Sequence, residues 1–227
     1  MVRRSVFISY ANEDDAARRA LELEISSDRL RTLSLTAQIN DGQSWQTQVA
    51  SMLAAADGFV VLIGTNTHVS EPVDWEIDRA RREGLPIVGL RLTEDAKNLP
   101  RGIRKVELLD RSRHDVRGAL EVLVEKSNYI DRLANRIRYH LESGALPIGP
   151  IDDLFRIYAA LAMAKGHGVT RGGVHNAWSA WMTGVDSSHP SIVPFSELDN
   201  EVAALDEPYV LAIRSAVAAM EVSDGNR

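Results

Sequence analysis

The sequence contains no cysteine, which excludes disulfide bonds, thiolate metal sites and a cysteine nucleophile. It has no apolar stretch near the roughly 20 residues of a membrane-spanning helix, and no secretory signal follows the N-terminal MVRRSVFISY. Positive charge is not in excess, because 26 Lys and Arg face 32 Asp and Glu, and this balance argues against a general nucleic-acid binder. We therefore expect a cytoplasmic protein that binds neither membranes nor nucleic acids.

Several familiar chemical signatures are also missing. The six histidines show no spacing typical of a metal site, so no metal is expected. The glycine-rich GHGVTRGG lacks the Lys-Ser/Thr pair of a phosphate loop, and no Gly-x-Ser-x-Gly nucleophile elbow occurs. His68 precedes the acidic segment discussed below and could touch a ligand, although simple exposure is the ordinary interpretation.

The first half of the sequence alternates strand-like with helix-like segments. The predicted strands are 5–10, 33–37, 58–64, 86–92 and 105–110, and the predicted helices are 11–25 (with Asn12 as N-cap), 45–56, 73–84 and 112–126. The run GFVVLIG is apolar between its glycines, which is typical of a central parallel strand. This alternation predicts an α/β fold, an open parallel sheet whose ligands bind beyond the carboxyl ends of the strands.

Beyond about residue 127 the pattern becomes helical only. The predicted helices there are 128–142, 151–165, 169–184 (with Thr170 as N-cap) and 207–221. We therefore predict two domains, an α/β domain at 1–126 and an all-helical domain at 127–227 that ends in a frayed tail.

A tryptophan and a carboxylate, Trp75 and Glu76, follow the strand 58–64 after a loop on the predicted ligand side of the sheet. The ordinary interpretation of Glu76 is a first-turn acid that the helix dipole stabilises. The functional interpretation is a carboxylate that stabilises the oxocarbenium-like transition state in which a sugar–nicotinamide bond breaks. An adjacent indole can stack on a flat heterocycle.

Three motifs resemble those of TIR domains: VFISY at 6–10, DGQSW at 41–45 and VVLIGTNTHVSEPVDWEIDRA at 60–80. The last resembles most the TIR-like subunit of Thoeris antiphage systems. The resemblance covers roughly residues 4–125 and implies a flavodoxin-like sheet. The wider family has a tryptophan four residues before its catalytic glutamate, and this sequence has Pro72 there. Whether an aromatic side chain covers the site from this side is therefore open.

The resemblance implies a role for each residue that matches a motif. Glu76 becomes the catalytic carboxylate, and the implied substrate-binding residues are Ser9, Tyr10, Asp41, Ser44, Trp45, Gly64 and Trp75. Asp41, Ser44 and Trp45 would belong to a mobile loop that gates the site or pairs with a neighbouring subunit. Taken alone, the residues leave a packing role open for Tyr10 and favour one for Trp45.

The C-terminal half resembles the small helical repeat domain of ryanodine receptors (RyR). The resemblance rests on VHNAWSAWM, HPSIVPFSELD and EPYVLAI within 174–213. The ordinary role of Trp178 and Trp181 is core packing. In bacteria such domains accompany nucleotide-signalling and defence modules, which makes a nucleotide ligand or a phage-derived trigger admissible.

The TIR resemblance implies an NAD+ glycohydrolase or cyclase in antiphage defence, with NAD+ as substrate and no further cofactor. Such an enzyme would be a homo-oligomer through its TIR domains, silent until triggered. Two alternatives remain open. The chain could be a non-catalytic TIR scaffold, or it could transfer 2-deoxyribosyl groups between nucleosides, since that family shares the sheet and an acidic nucleophile.

Overall fold

The computed structural model describes residues 3–35, 44–103, 107–112, 114–126, 128–141, 146–147 and 151–224. By its internal contacts the chain divides into two units, Met1–Asn128 and Tyr129–Arg227.

The first unit contains a parallel sheet, as the alternating pattern predicts. Its strands are β1 (Arg4–Ser9), β2 (Leu30–Leu33), β3 (Gly58–Ile63), β4 (Ile87–Arg91) and β5 (Glu107–Asp110). Across the described residues their order is β2-β1-β3-β4-β5, with every neighbouring pair parallel. This is the flavodoxin-like order, in which the chain changes direction between β1 and β3, and a crevice opens where their carboxyl ends part.

Helices cover both faces of this sheet. They are α1 (Asp15–Ile25), α2 (Trp45–Ala55), α3 (Glu71–Arg82) and α4 (Val116–Lys126). The β3 side chains alternate between two apolar clusters, with Val61 in the cluster formed with α2 and α3, and Val60 in the cluster formed with α1 and α4. This double coverage explains why β3 is apolar at every position. Phe7 of β1 joins the α2–α3 cluster, so Ser9, two residues later, faces the same side.

Several predicted element bounds in this unit are wrong; the helix predicted to begin at residue 112, for example, begins at Val116. The second strand is Leu30–Leu33 and so begins three residues before the predicted 33–37, because β1 pairs with it from Arg4↔Leu30 to Phe7↔Leu33, and because Leu30 is buried. Residues 36 and 37 of the predicted strand lie outside the described residues. Pairing and burial here outweigh the β-propensity of the residues that follow. The first helix begins at Asp15, since residues Asn12–Asp14 form a 3-10 turn, and Asn12 is therefore not its N-cap.

The second unit is helical where the structure describes it. Its helices are α5 (Tyr129–Tyr139), α6 (Ile151–Lys165), α7 (Arg171–Val185), α8 (Asn200–Ala204) and α9 (Glu207–Asp224). Thr170 caps α7 as predicted, because its side chain accepts a hydrogen bond from Gly173 N at 3.2 Å. Trp181 lies in the apolar core and Trp178 packs against it, in agreement with their helical spacing. The short helix α8 was not predicted. Within the described residues we find no helix both long and apolar enough to cross a membrane.

Candidate active site

Glu76 and Ser9 meet at the junction of β1 and β3. The Ser9 hydroxyl donates a hydrogen bond to Oε2 of Glu76 over 2.5 Å. Both residues are buried, with 8% of Glu76 and 1% of Ser9 exposed. Ser9 is the last residue of β1, and its register partner on β3 is Val61. A carboxyl group therefore lies at the edge of the sheet where ligands of this fold bind.

The sequence of α3 turns Glu76 inward. Pro72 lies in the first helical turn, where its missing N–H costs no hydrogen bond. The buried positions Val73, Glu76, Ile77 and Ala80 follow the spacing of a single helical face, so a carboxylate occupies a position where an apolar residue is usual. The neighbouring acids have other partners. Asp74, for example, accepts a hydrogen bond from Arg101 N at 3.0 Å.

Burial changes the acidity of this carboxyl group. Loss of solvation raises the pKa of Glu76 from 4.5 to about 7, although the hydrogen bond from Ser9 acts in the opposite direction. Near neutral pH, both the protonated and the ionised forms are therefore populated. A carboxyl group in this state can stabilise a positive charge when ionised and can also accept or return a proton.

Replacing Ser9 tests the hydrogen bond directly. In Ser9→Ala the pKa of Glu76 should rise above its wild-type value, because the ionised carboxylate loses a donor that stabilises it. The measurement is a ¹³C NMR titration of the carboxyl carbon, assigned by its disappearance in Glu76→Gln. Ser5→Ala is a matched control, since Ser5 is equally buried at the other end of β1 and bonds to Arg31 instead. An unchanged Glu76 pKa in Ser9→Ala would contradict the proposed role of the bond.

Tyr10 lies on the opposite face of the sheet from Ser9. Its ring packs against the α1–α4 cluster with the Arg18 guanidinium 5.3 Å from the ring centroid, and its hydroxyl donates to Leu35 O at 3.1 Å. Burial raises the pKa of Tyr10, Arg18 lowers it, and several carboxylates including Glu76 raise it. The Tyr10 hydroxyl therefore bonds to Leu35 rather than to Glu76, and the role of Tyr10 in substrate binding stays a prediction.

Trp45 and Trp75 do come together. Their rings meet edge to face with centroids 5.0 Å apart, and both pack, partly buried, against the α2–α3 cluster. Ser44 is the N-cap of α2, where its side chain accepts a hydrogen bond from Thr47 N at 3.3 Å. Asp41 lies outside the described residues. The indole next to the acid is thus one half of an aromatic pair that joins α2 to α3.

Gly64 is buried against the carboxylate of Asp14. A Cβ atom on Gly64 would lie 2.4 Å from both carboxylate oxygens of Asp14, so only glycine permits this approach. The buried Thr67 hydroxyl accepts a hydrogen bond from Gly64 N at 2.8 Å and donates one to Asp14 Oδ2 at 3.2 Å. Sequence reasoning missed Asp14 and Thr67. Asp14 resembled an acid in the first turn of a helix, and Thr67 resembled an ordinary loop residue.

A cleft of about 320 Å³ opens beside this network, at the ends of β3 and β4 and the start of α1. Its lining includes Glu13, Asp14, Gly64, Thr65, Thr93 and Arg111. His68, in the loop before α3, is half-buried rather than exposed, and no atom of the described residues makes a hydrogen bond to its buried Nδ1. In the described parts of the chain, no three His, Asp or Glu side chains gather as a metal site would require.

The fold and this site define a flavodoxin-like α/β protein with a buried acid at the β1/β3 junction. The family model of the TIR domain matches residues 6–124, more than half of the chain. The chain therefore belongs to the TIR domain family, which includes enzymes that hydrolyse NAD+. A second model, a domain of unknown function (DUF7701), matches residues 128–218. No curated protein matches the chain.

Proposed function

We propose that the chain is a TIR-type NAD+ glycohydrolase or cyclase that acts in antiphage defence in the cytoplasm. One observation carries the proposal: Glu76, the residue that matches the catalytic glutamate of NAD-cleaving TIR domains, is buried and hydrogen-bonded to Ser9 at the β1/β3 junction. An unused surface acid would face solvent instead.

The chemistry that we propose breaks the bond between nicotinamide nitrogen and ribose C1. The bonding electron pair leaves with nicotinamide, whose pyridinium becomes a neutral pyridine, and a positive charge develops on the ribosyl group. The Glu76 carboxylate stabilises that charge. Water then adds to C1 and loses a proton, which gives ADP-ribose, or the adenine ring or a ribose hydroxyl adds and gives a cyclic product. A carboxyl group with a pKa of about 7 is suited to accept that proton.

The low exposure of Glu76 supports an enzyme that is silent when isolated. With 8% of the residue exposed, the carboxyl group reaches a dinucleotide only after neighbouring groups move. We propose that association of TIR domains into a homo-oligomer supplies that movement, and that the helical unit responds to a phage-derived trigger or a nucleotide ligand. The same low exposure also favours the second candidate, a non-catalytic scaffold in which the Ser9–Glu76 pair only stabilises the fold.

The experiment that separates the two candidates uses the full-length purified chain. The protein is incubated with NAD+ over a wide range of protein concentrations, with and without lysate of phage-infected cells. Nicotinamide is quantified by chromatography, and mass spectrometry identifies linear or cyclic ADP-ribose. Release that rises more steeply than protein concentration supports the assembled enzyme. No release in any assembly state supports the scaffold, and release of a base from deoxynucleosides but not from NAD+ supports deoxyribosyl transfer.

A further inference from the structure

We propose that Asp14 and Thr67 form a clamp that positions Glu76 against Ser9, an inference that rests on the proposed NAD+ cleavage. The Asp14–Thr67 clamp comprises the two side chains and the Gly64 backbone amide that donates a hydrogen bond to Thr67. It lies at the same β1/β3 junction as the Ser9–Glu76 pair. Asp14 lies outside the TIR motifs used above, and Thr67 lies within the third motif, where no role was assigned to it.

Thr67 uses its hydroxyl group for two bonds at once. The oxygen accepts a hydrogen bond from Gly64 N at 2.8 Å, and the proton is donated to Asp14 Oδ2 at 3.2 Å. Thr67 is fully buried, so water cannot replace either bond. The first bond closes the loop 64–70 on itself, and the second attaches that loop to the segment that follows β1. The loop leads directly into α3, which carries Glu76.

Asp14 does not serve the purpose that its position suggests. It directly precedes α1, where an aspartate commonly caps the helix, but its side chain makes no capping bond. The carboxylate points instead at Gly64 and Thr67. Burial raises the pKa of Asp14, Thr67 lowers it, and Glu13 raises it. The protein thus gives up a helix cap and partly desolvates a carboxylate to make this contact.

Two bonds therefore join the same two segments of the chain. Ser9 and Asp14 lie on the β1 side of the junction, and Thr67 and Glu76 lie on the β3 side. The Ser9–Glu76 bond is 2.5 Å long, and a bond of this length tolerates little displacement of either partner. A fixed loop between β3 and α3 sets the position of Glu76. Misplacement of a reacting group by about 1 Å can cost on the order of 100-fold in rate.

Two substitutions of Thr67 test the clamp. Thr67→Val keeps the shape of the side chain but removes the hydroxyl, and we expect kcat to fall at least about tenfold while KM changes less than about threefold. Thr67→Ser keeps the hydroxyl and should stay within about threefold of wild type. Val60→Ala is the control for simple destabilisation, because Val60 is fully buried in the α1–α4 cluster on the other face. It should lower Tm and leave kcat unchanged.

A double-mutant cycle with Ser9→Ala makes the test specific to positioning. If the clamp acts by holding Glu76 against Ser9, Thr67→Val should have little further effect once the Ser9 hydroxyl is gone. The NMR titration of the Glu76 carboxyl group in the same four proteins provides a second readout that needs no activity. Thr67→Val should change the Glu76 pKa in the wild-type background and leave it nearly unchanged in Ser9→Ala.

The outcomes separate the clamp from the proposed function. A wild-type protein that never releases nicotinamide overturns NAD+ cleavage. In that case the Glu76 pKa values of the four proteins in the double-mutant cycle alone test whether the clamp positions Glu76. Equal effects of Thr67→Val in both backgrounds overturn the clamp, as does a Thr67→Val protein with unchanged kcat and unchanged Glu76 pKa. Failure of Thr67→Ser to recover the wild-type values also overturns it, because the hydroxyl would then not be the active group.

Discussion

Glu76→Gln is expected to reduce nicotinamide release from NAD+ at least about 100-fold, because the neutral amide cannot stabilise the positive charge on the ribosyl group. The substitution preserves size and shape, and the amide can still accept a hydrogen bond from Ser9. A fall in kcat would therefore report the lost charge rather than a lost fold. The measurement is single-turnover nicotinamide release at saturating NAD+, with protein concentration held where the wild type is assembled.

Glu83→Gln is the matched control for this prediction. Glu83 directly follows the same helix and is equally buried, but its carboxylate pairs with Arg79 at 2.7 Å rather than with Ser9. We expect this variant to keep wild-type kcat even if it loses some stability. Nicotinamide release that survives Glu76→Gln would remove Glu76 from the mechanism. A similar loss in both variants would mean that α3 is merely sensitive to substitution.

The same Glu76→Gln substitution is expected to stabilise the first unit above pH 7. In the folded protein burial raises the pKa of Glu76 from its ordinary 4.5 to about 7. The folded state thus holds this proton more tightly than the unfolded chain, and stability falls as pH rises from about 4.5 to about 7, then levels off. A shift of this size corresponds to roughly 3 kcal/mol. Glutamine cannot ionise, so the variant should not show this loss.

Amide hydrogen exchange in β3 measures this effect in the first unit alone. Wild type and Glu76→Gln should have similar protection near pH 5, after correction for the intrinsic exchange rate, and should diverge by pH 8 with the variant more stable. Parallel pH dependence in the two proteins would contradict the high pKa of Glu76. We expect Glu76→Gln to gain stability and lose activity if Glu76 is catalytic, because functional sites commonly reduce stability.

Much of the fold follows from local sequence patterns. The run 58–64 predicted the central strand because a segment covered on both faces must be apolar throughout. Thr170 marked the start of a helix because its side chain can accept a bond from a free backbone amide of the first turn. The helix predicted at 73–84 ends at a glycine, Gly84, which takes a φ of 68° that other residues avoid. Each signal depends only on residues a few positions apart.

The candidate site was predicted less completely. The sequence placed Glu76 after the central strand on the ligand side of the sheet, but its position on the buried face of α3 is a finding of the structure. That Ser9 faces Glu76, and that Tyr10 does not, depends on which side of β1 meets α3. The shifted start of β2 likewise followed from pairing with β1.

The sequence by itself determined that this chain has an apolar central strand, alternating strands and helices, and a carboxylate after the loop that follows that strand. Only the tertiary structure decided that Glu76 meets Ser9, that Trp45 meets Trp75 and that Asp14 holds the loop of Thr67. The physical reason is distance along the chain. Helical periodicity and capping act between near neighbours, whereas these contacts join residues 30 to 67 positions apart, and sheet topology alone brings such residues together.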